Sequence, residues 1–267
     1  MSDVHPTAIV EPGARLAASA KIGPFCQVGA EVELGEGVEL ISHAVVTGRT
    51  SVGERTRIFP FASIGHQPQD LKYKGEESRL EIGHDSIIRE HVTMNPGTSG
   101  GGMLTRTGNH CVFMVGVHVA HDCLIGDHVI MANNATLAGH VSIGEYAVLG
   151  GLCAVHQFVR IGRQAMIGGL TGVERDVIPF GSVLGDRARL AGLNIVGLQR
   201  RGFPREEIMA LRNAYQLLWG EGREVFKERL EAVEKKLAGS AAVRELLEFI
   251  HAPSTRGLCQ PKASNGG

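Results

Sequence analysis

Residues 16–46 read LAASAK IGPFCQ VGAEVE LGEGVE LISHAV V, with an aliphatic residue at every sixth position. The same spacing runs without a miss from Val10 to Ile64. A period of six fits neither a helix nor simple strand alternation, but it fits a chain that turns a corner after each short strand. Glycine often follows the aliphatic residue, as at Gly23 and Gly35, where the backbone must turn sharply. The pattern predicts a β-solenoid, and three sides would give coils of eighteen residues.

The same register returns over residues 82–94 and, after a shift of one residue, over residues 113–173. Two stretches interrupt it, near residues 66–81 and 95–106, and the second is rich in glycine. Insertions in a repeat array usually project from one face, and long ordered loops often carry function. We therefore expect one solenoid domain over residues 1–186, with two loops that are candidates for a functional site.

Helical spacing replaces the six-residue repeats, or hexads, towards the C-terminus. Ile208, Leu211 and Leu218 follow Pro204, a residue suited to the first turn of a helix. Further helical patterns cover roughly residues 221–237 and 241–250. An open solenoid end exposes strand edges, which a helical cap protects. The sequence predicts a C-terminal α-helical domain over residues 187–267.

The composition excludes several classes of protein. A net charge of −1 provides no general basic field for nucleic acid. No basic region precedes an apolar stretch at the start, and no run is long enough to cross a bilayer, so we expect a cytoplasmic protein without stable membrane insertion. Five cysteines without a C-x-x-C pair indicate reduced thiols rather than a disulfide framework or a zinc knuckle.

Histidines cluster between residues 110 and 156. If one coil has eighteen residues, His121, Gly139 and Gln157 stack on one side of three successive coils. The neighbouring histidines expected on the same stripe are His118, His140 and His156. The spacing therefore predicts a site at this position along the solenoid.

The stripe suits general base catalysis. A neutral imidazole at His121 can take a proton from a hydroxyl that attacks an acyl group, and Asp122 is the candidate partner that holds the ring. Because glycine lets a substrate approach the main chain, the Gly139 N–H can face a developing oxyanion. Zinc binding by His118 and His121 is the alternative, although residues three apart in a strand face opposite sides unless a corner intervenes.

Six ordered segments resemble the UDP-N-acetylglucosamine O-acyltransferases of lipid A biosynthesis, a family of hexapeptide-repeat acyltransferases. They are His5-Pro-Thr-Ala-Ile-Val, Gln69-Asp-Leu-Lys-Tyr, His118-Val-Ala-His-Asp, Ala132-Asn-Asn-Ala-Thr-Leu-Ala-Gly-His140, Ala154-Val-His-Gln-Phe158 and Gly197-Leu-Gln-Arg-Arg-Gly-Phe203. The resemblance implies a left-handed parallel β-helix and a homotrimer with active sites between subunits. It also implies transfer of a 3-hydroxyacyl chain from acyl carrier protein to the 3-position of UDP-N-acetylglucosamine, without a cofactor or metal.

The resemblance also implies roles for individual residues. His121 is the base, Asp122 its support, and the Gly139 N–H contacts the thioester carbonyl oxygen. Residues that match substrate contacts are Asp70, Lys72, His118, His140, His156 and Gln157. Asn194 and Arg200 match residues that engage the nucleotide or the carrier arm. Basic side chains that would face the acidic carrier protein are Arg201, Arg205 and Arg212, with a solvated helix face as the alternative for the last two. Gly169 matches a position that limits acyl length, and a glycine there favours a longer chain.

Two departures from the family pattern affect the expected contacts, the first with the nucleotide and the second with the acceptor sugar. Val196 stands where close relatives have glutamate, which removes a carboxylate near the nucleotide. Asn95-Pro-Gly-Thr98 stands where a basic or histidine-containing variant also occurs. The acceptor is therefore a 3-hydroxyl or a 3-amino sugar. A noncatalytic solenoid that binds acyl carrier protein and a metal-dependent hydrolase or carbonic anhydrase remain the other candidate functions.

Overall fold

Very short strands separated by turns recur along most of the chain in this computed structural model, which describes residues 2–222 and 224–262. The strands are β1 (Asp3–Val4), β2 (Ile9–Val10), β3 (Arg15–Leu16), β4 (Lys21–Ile22), β5 (Gln27–Val28), β6 (Glu33–Leu34), β7 (Glu39–Leu40), β8 (Val45–Val46), β9 (Arg49–Val52), β10 (Arg57–Ile58), β11 (Ser63–Ile64), β12 (Arg79–Ile82), β13 (Ile87–Ile88), β14 (Thr93–Met94), β15 (Leu104–Thr107), β16 (Val112–Phe113), β17 (His118–Val119), β18 (Leu124–Ile125), β19 (Ile130–Met131), β20 (Thr136–Leu137), β21 (Ser142–Ile143), β22 (Val148–Leu149), β23 (Ala154–Val155), β24 (Arg160–Ile161), β25 (Met166–Ile167), β26 (Gly172–Val173), β27 (Gly181–Leu184) and β28 (Arg189–Leu193).

Successive strands belong to three different sheets in rotation. Sheet A contains β1, β4, β7, β10, β13, β16, β19, β22, β25, β27 and β28; sheet B contains β2, β5, β8, β11, β14, β17, β20, β23 and β26; sheet C contains β3, β6, β9, β12, β15, β18, β21 and β24. The strands pair in parallel except for β27 with β28. The fold is the predicted left-handed parallel β-helix with C-terminal helices, against the usual right-handed preference of parallel crossovers.

The register confirms coils of eighteen residues. Lys21 pairs with Glu39 and Thr136 with Ala154, eighteen positions on in each case. In almost every strand the second residue is buried and the first faces outwards, so the hexad aliphatics fill the interior, as predicted. Two coils are longer: residue 57 pairs with residue 87, and residue 87 with residue 112. These coils hold the two predicted interruptions, which the structure shows as loops over residues 65–78 and 95–103.

Four helices follow the strands: α1 (Ile195–Arg200), α2 (Arg205–Trp219), α3 (Phe226–Leu237) and α4 (Ala241–His251). The helical patterns from Pro204 onwards correctly predicted α2 to α4. The sequence did not predict α1 or the antiparallel β27–β28 pair, which joins the last coil to the helices. Residue 223 and residues 263–267 of the expected helical domain lie outside the described residues. No helix in the described part of the chain is long and apolar enough to span a membrane.

A buried carboxylate joins the β-helix to its helical cap. The Asp176 side chain is fully buried and accepts hydrogen bonds from the Arg160 backbone N–H (2.9 Å) and Nε (2.7 Å). The Arg160 guanidinium also lies 4.4 Å from the ring centroid of Phe249 on α4 and donates to its carbonyl oxygen. The Asp176 main chain bonds Gly257 and Cys259. One ion pair therefore connects three separate segments.

We expect Asp176→Ala to lower the free energy of unfolding by about 3 kcal/mol, because it leaves a largely buried guanidinium without its partner. Urea unfolding at a fixed protein concentration measures the change. Asp3→Ala, at an exposed position of β1, is the control and should change stability by less than about 0.5 kcal/mol. An Asp176→Ala effect no larger than that of Asp3→Ala would contradict a structural role for the ion pair.

Candidate active site

The residues predicted to stack do stack. His118 pairs with Thr136, and Thr136 with Ala154, so His121, Gly139 and Gln157 occupy equivalent places at the corner that follows sheet B. We call this the BC corner. A Cβ added at Gly139 would lie 2.4 Å from His121 Cε1, so the imidazole lies directly against the Gly139 backbone. Glycine at 139 makes the room that the ring occupies.

Asp122 fixes the orientation of His121. Its Oδ2 lies 2.8 Å from His121 Nδ1, and its side chain is fully buried. Because Nδ1 faces a carboxylate, we assign the ring proton to Nδ1, which leaves Nε2 as a proton acceptor. Asp122 itself has a left-handed backbone conformation, with φ of 60°. The arrangement suits a general base with a positioning carboxylate.

Two threonines that the sequence analysis did not single out hold Asp122. Thr98 donates to Oδ1 through its backbone N–H (2.9 Å) and to Oδ2 through its hydroxyl (2.6 Å). The Thr105 hydroxyl oxygen accepts from the Asp122 backbone N–H (2.7 Å). Both threonines are buried. The available sequence signal was the position of Thr98 inside the interrupting loop, but a contact across 24 residues follows no repeat.

Two further imidazoles lie beside His121. His140 packs edge to face against it, with ring centroids 5.0 Å apart, and stacks on Phe158 at 4.3 Å. His118 Nδ1 lies 2.7 Å from the Thr93 hydroxyl. Burial lowers the pKa of both His118 and His140. Each ring is therefore biased towards its neutral form, so the site is not a permanently cationic patch.

A cavity of about 490 Å³ opens in front of His121. Its lining includes Gln69, His118, His121, Gly139, His156, Gln157, Glu174 and Arg187. The outward residues of sheet B become smaller along its floor, in the order His118, Thr136, Ala154 and Gly172. The floor is therefore an open groove that runs from the histidines towards Arg187. A larger cavity of about 890 Å³ lies between sheet C and α4, and the described residues that line it include no histidine.

The two inserted loops meet at this site. Asn95 Nδ2 donates to the His66 and Gln67 carbonyl oxygens, and the Ser99 hydroxyl donates to Glu76 Oε1 at 2.8 Å. In the first loop, Asp70 Oδ1 accepts from the backbone N–H of Lys72. The charge of Asp70 raises the pKa of His140 and that of Lys72 lowers it, both less than burial does, and Gln69 of the same loop lines the cavity. The loops therefore form one wall beside the histidines.

Four other predicted residues lie away from this cavity in the same chain. Asn194 caps α1 by accepting from the Gly197 N–H, and donates to the Gln164 carbonyl oxygen. Arg201 donates to the Tyr146 carbonyl oxygen, and Arg200 is exposed nearby. Residues 146 and 164 lie between sheets C and A, which we call the CA corner. Gly169 lies between sheets A and B, the AB corner.

Two groups of side chains in the described part of the chain have ligand atoms close enough for a metal ion. They are His121, Asp122 and His140, and His84, Asp85 and His110, with all ligand atoms within 4.8 Å of one another in each group. In the first group, Asp122 Oδ2 already accepts from Thr98 and His121. In the second, Arg55 pairs with both Asp85 oxygens at 2.7 Å. Both carboxylates therefore have protein donors already.

The β-helix has three sheets built from hexapeptide repeats, and a His–Asp pair packs against a backbone glycine at one corner. This combination is typical of hexapeptide-repeat acyltransferases. The family model described as bacterial transferase hexapeptide (six repeats) matches residues 105–139. A second, described as UDP N-acetylglucosamine O-acyltransferase, domain 2, matches residues 176–259.

Relatives that match nearly the full chain identify the particular family. The acyl-[acyl-carrier-protein]--UDP-N-acetylglucosamine O-acyltransferase of Caulobacter vibrioides is 56% identical over 259 residues, covering 97% of this chain and 98% of the relative. That of Methylobacterium radiotolerans is 60% identical over 260 residues, covering 97% and 95%. The structure of LpxA from Acinetobacter baumannii superposes with a TM-score of 0.90 at 40% identity, covering 96% of this chain and 99% of that one. The chain belongs to the UDP-N-acetylglucosamine O-acyltransferase family.

Proposed function

We propose that this chain transfers a 3-hydroxyacyl group from acyl carrier protein to the 3-position of UDP-N-acetylglucosamine, the first step of lipid A biosynthesis. The observation that carries the proposal is the His121–Asp122 pair, which lies against Gly139 at the edge of the cavity. Relatives that match nearly the full chain are named as O-acyltransferases acting between an acyl-[acyl-carrier-protein] and UDP-N-acetylglucosamine. The reaction needs a base for the acceptor and a donor for an oxyanion, and this corner contains both.

The reaction is direct attack. His121 Nε2 takes the proton of the sugar 3-hydroxyl as its oxygen bonds the thioester carbonyl carbon. Negative charge then develops on the carbonyl oxygen. Among the described residues the Gly139 N–H has no protein acceptor, so it is free to donate to that oxygen. As the carbon–sulfur bond breaks, the imidazolium returns its proton to the departing carrier thiolate, and His121 is neutral again.

We propose that a homotrimer completes the site. The CA corner, where Asn194, Arg200 and Arg201 lie, is a different edge of the three-sided β-helix from the BC corner that holds His121. In a trimer, these three residues of one copy would face the cavity of a neighbouring copy. A row of exposed apolar side chains along the AB corner suits burial between copies: Phe25, Phe61, Leu152 and Leu170 are 55 to 71% exposed. Gly169 lies on the same edge, where a small residue leaves room for a longer acyl chain.

The acyl carrier protein is proposed to dock on the helical region. Arg205 and Arg212 line a cavity of about 500 Å³ together with Phe203 and Met209. Two guanidinium groups beside exposed apolar surface suit an acidic partner that also contributes apolar contacts. We place the enzyme in the cytoplasm, which is consistent with five free, buried cysteines.

One assay tests the activity and its acceptor. Purified protein is incubated with a panel of 3-hydroxyacyl carrier proteins and either UDP-N-acetylglucosamine or its 3-amino analogue, and mass spectrometry detects the acylated sugar nucleotide. We expect acylation, with the preferred chain in the panel defining the acyl length. Binding of the carrier protein without any product from either acceptor would instead support a noncatalytic solenoid.

The same assay tests the metal alternative. Because the proposed chemistry uses only an imidazole, a carboxylate and a backbone N–H, we expect chelator-treated protein to keep full activity. Metal analysis of the treated protein is the control that the chelator worked. Loss of activity on chelation, restored by stoichiometric zinc, would overturn the mechanism in favour of a metal-dependent reaction.

A further inference from the structure

We infer that the 95–103 loop, between β14 and β15, holds the carboxylate that orients His121, and that Thr98 is its positioning residue. The inference rests on the proposed function. It concerns a residue that does not line the cavity and therefore acts through Asp122 rather than on the substrate.

Thr98 restrains both carboxylate oxygens at once. Its N–H binds Oδ1 and its hydroxyl binds Oδ2, so rotation about the Asp122 side chain breaks two hydrogen bonds. Oδ2 is also the oxygen that His121 Nδ1 contacts. The hydroxyl and the imidazole therefore share one acceptor atom, and the position of that atom sets the direction of the imidazole. Hydrogen bonds to a buried charged group are among the stronger ones in proteins.

The loop is shaped around this carboxylate. The Gly101 and Met103 N–H groups both donate to the Thr98 carbonyl oxygen, which folds the loop back on itself. A Cβ at Gly101 would lie 2.1 Å from Asp122 Cγ, so only glycine allows the loop to close over the side chain. At Gly100, the preceding residue, an added Cβ would meet nothing nearer than the Thr98 hydroxyl oxygen at 3.9 Å. Two adjacent glycines thus differ in whether they contact Asp122.

The coil that contains the inserted 95–103 loop is the one that leads directly to Asp122. The equivalent positions in the next two coils hold His140 and Phe158, and those coils are eighteen residues long without an inserted loop. The coil before Asp122 is lengthened to twenty-five residues, since Thr93 pairs with His118. The added residues supply the donors that a buried carboxylate requires and that a plain hexad corner does not provide.

The first test compares Thr98→Val with Thr98→Ser. Valine keeps the shape and the backbone N–H but removes the hydroxyl, so we expect kcat to fall about 10- to 100-fold with KM for the sugar nucleotide within about twofold. Serine restores the hydroxyl, and kcat should return to within about threefold of wild type.

Thr107→Val is the matched control, because Thr107 is also buried, lies on β15, and its hydroxyl has no hydrogen-bond partner among the described residues. We expect it to keep wild-type kinetics. A second pair does not depend on Thr98: Gly101→Ala should lower kcat at least 10-fold, whereas Gly100→Ala should not. Thermal unfolding of every variant checks that it is folded.

Wild-type kcat in Thr98→Val would overturn the inference while leaving the proposed function intact. Equal losses in Thr98→Val and Thr107→Val would overturn it as well, because they would indicate general packing. If the Thr98 variants do not fold, equal activity of Gly101→Ala and Gly100→Ala would overturn the inference instead. An inactive wild-type enzyme would instead remove the proposed function, and the inference with it.

Discussion

His121→Ala is expected to lower kcat by about 10² to 10⁴ while the β-helix stays folded. The imidazole supplies the Nε2 that accepts the proton of the acceptor hydroxyl. His140 Nδ1 also faces Asp122 Oδ2, but at 3.9 Å, against 2.8 Å for His121 Nδ1. The loss should appear in kcat because the proton transfer belongs to the chemical step. Steady-state kinetics with the preferred acyl carrier protein measure it.

The fold should tolerate this change because the His121 side chain lies at the corner, outside the aliphatic interior. His251→Ala is the control: His251 also contacts a carboxylate, Glu234, but on the exposed surface of α4. We expect it to have wild-type kcat. Near wild-type turnover in His121→Ala, with the protein folded and of unchanged oligomeric size, would refute the role of His121 as base.

The repeat was predictable because one physical requirement recurs in every coil. Each side of the prism needs one apolar side chain inside, and residues such as Phe113, Met131 and Leu149 meet that requirement in a stack on sheet A. The same regularity predicts that His121 and Gly139 stack on successive coils. Features that follow the period can be located by counting.

Features outside the period were not predictable in this way. α1 has six residues and one buried side chain, Leu198, too few to show a helical pattern. The partner of Thr98 depends on the path of an irregular loop, for which the sequence offers glycines but no register. Asn194 is a different case: the resemblance implies a contact with the nucleotide or the carrier arm, and the structure shows a helix cap within the same chain. The proposed substrate contact would require a neighbouring copy, which no periodicity within one chain can predict.

Gly139→Ala is expected to lower kcat by about 10²-fold. The added methyl would lie 2.4 Å from His121 Cε1 and 2.6 Å from Nε2, so the ring must move away from the place where the acceptor hydroxyl and the thioester meet. The methyl also stands beside the N–H proposed to bind the oxyanion, whose loss in other enzymes costs a similar factor. Gly139 does not have a positive φ, and the contact is with a side chain, so the variant should fold. Gly239→Ala, at a site where the methyl meets no heavy atom within 4 Å, is the control.

A double-mutant cycle identifies the route of the effect. If Gly139→Ala acts by displacing the imidazole, the methyl does no further damage once that ring is absent. The double variant His121→Ala/Gly139→Ala should then have a kcat within about threefold of His121→Ala alone. Fully multiplicative losses would show instead that the methyl acts at the carbonyl oxygen, independently of the base. Either result assigns Gly139 a position in the reaction, whereas full activity of Gly139→Ala would contradict the packing of His121 against this glycine.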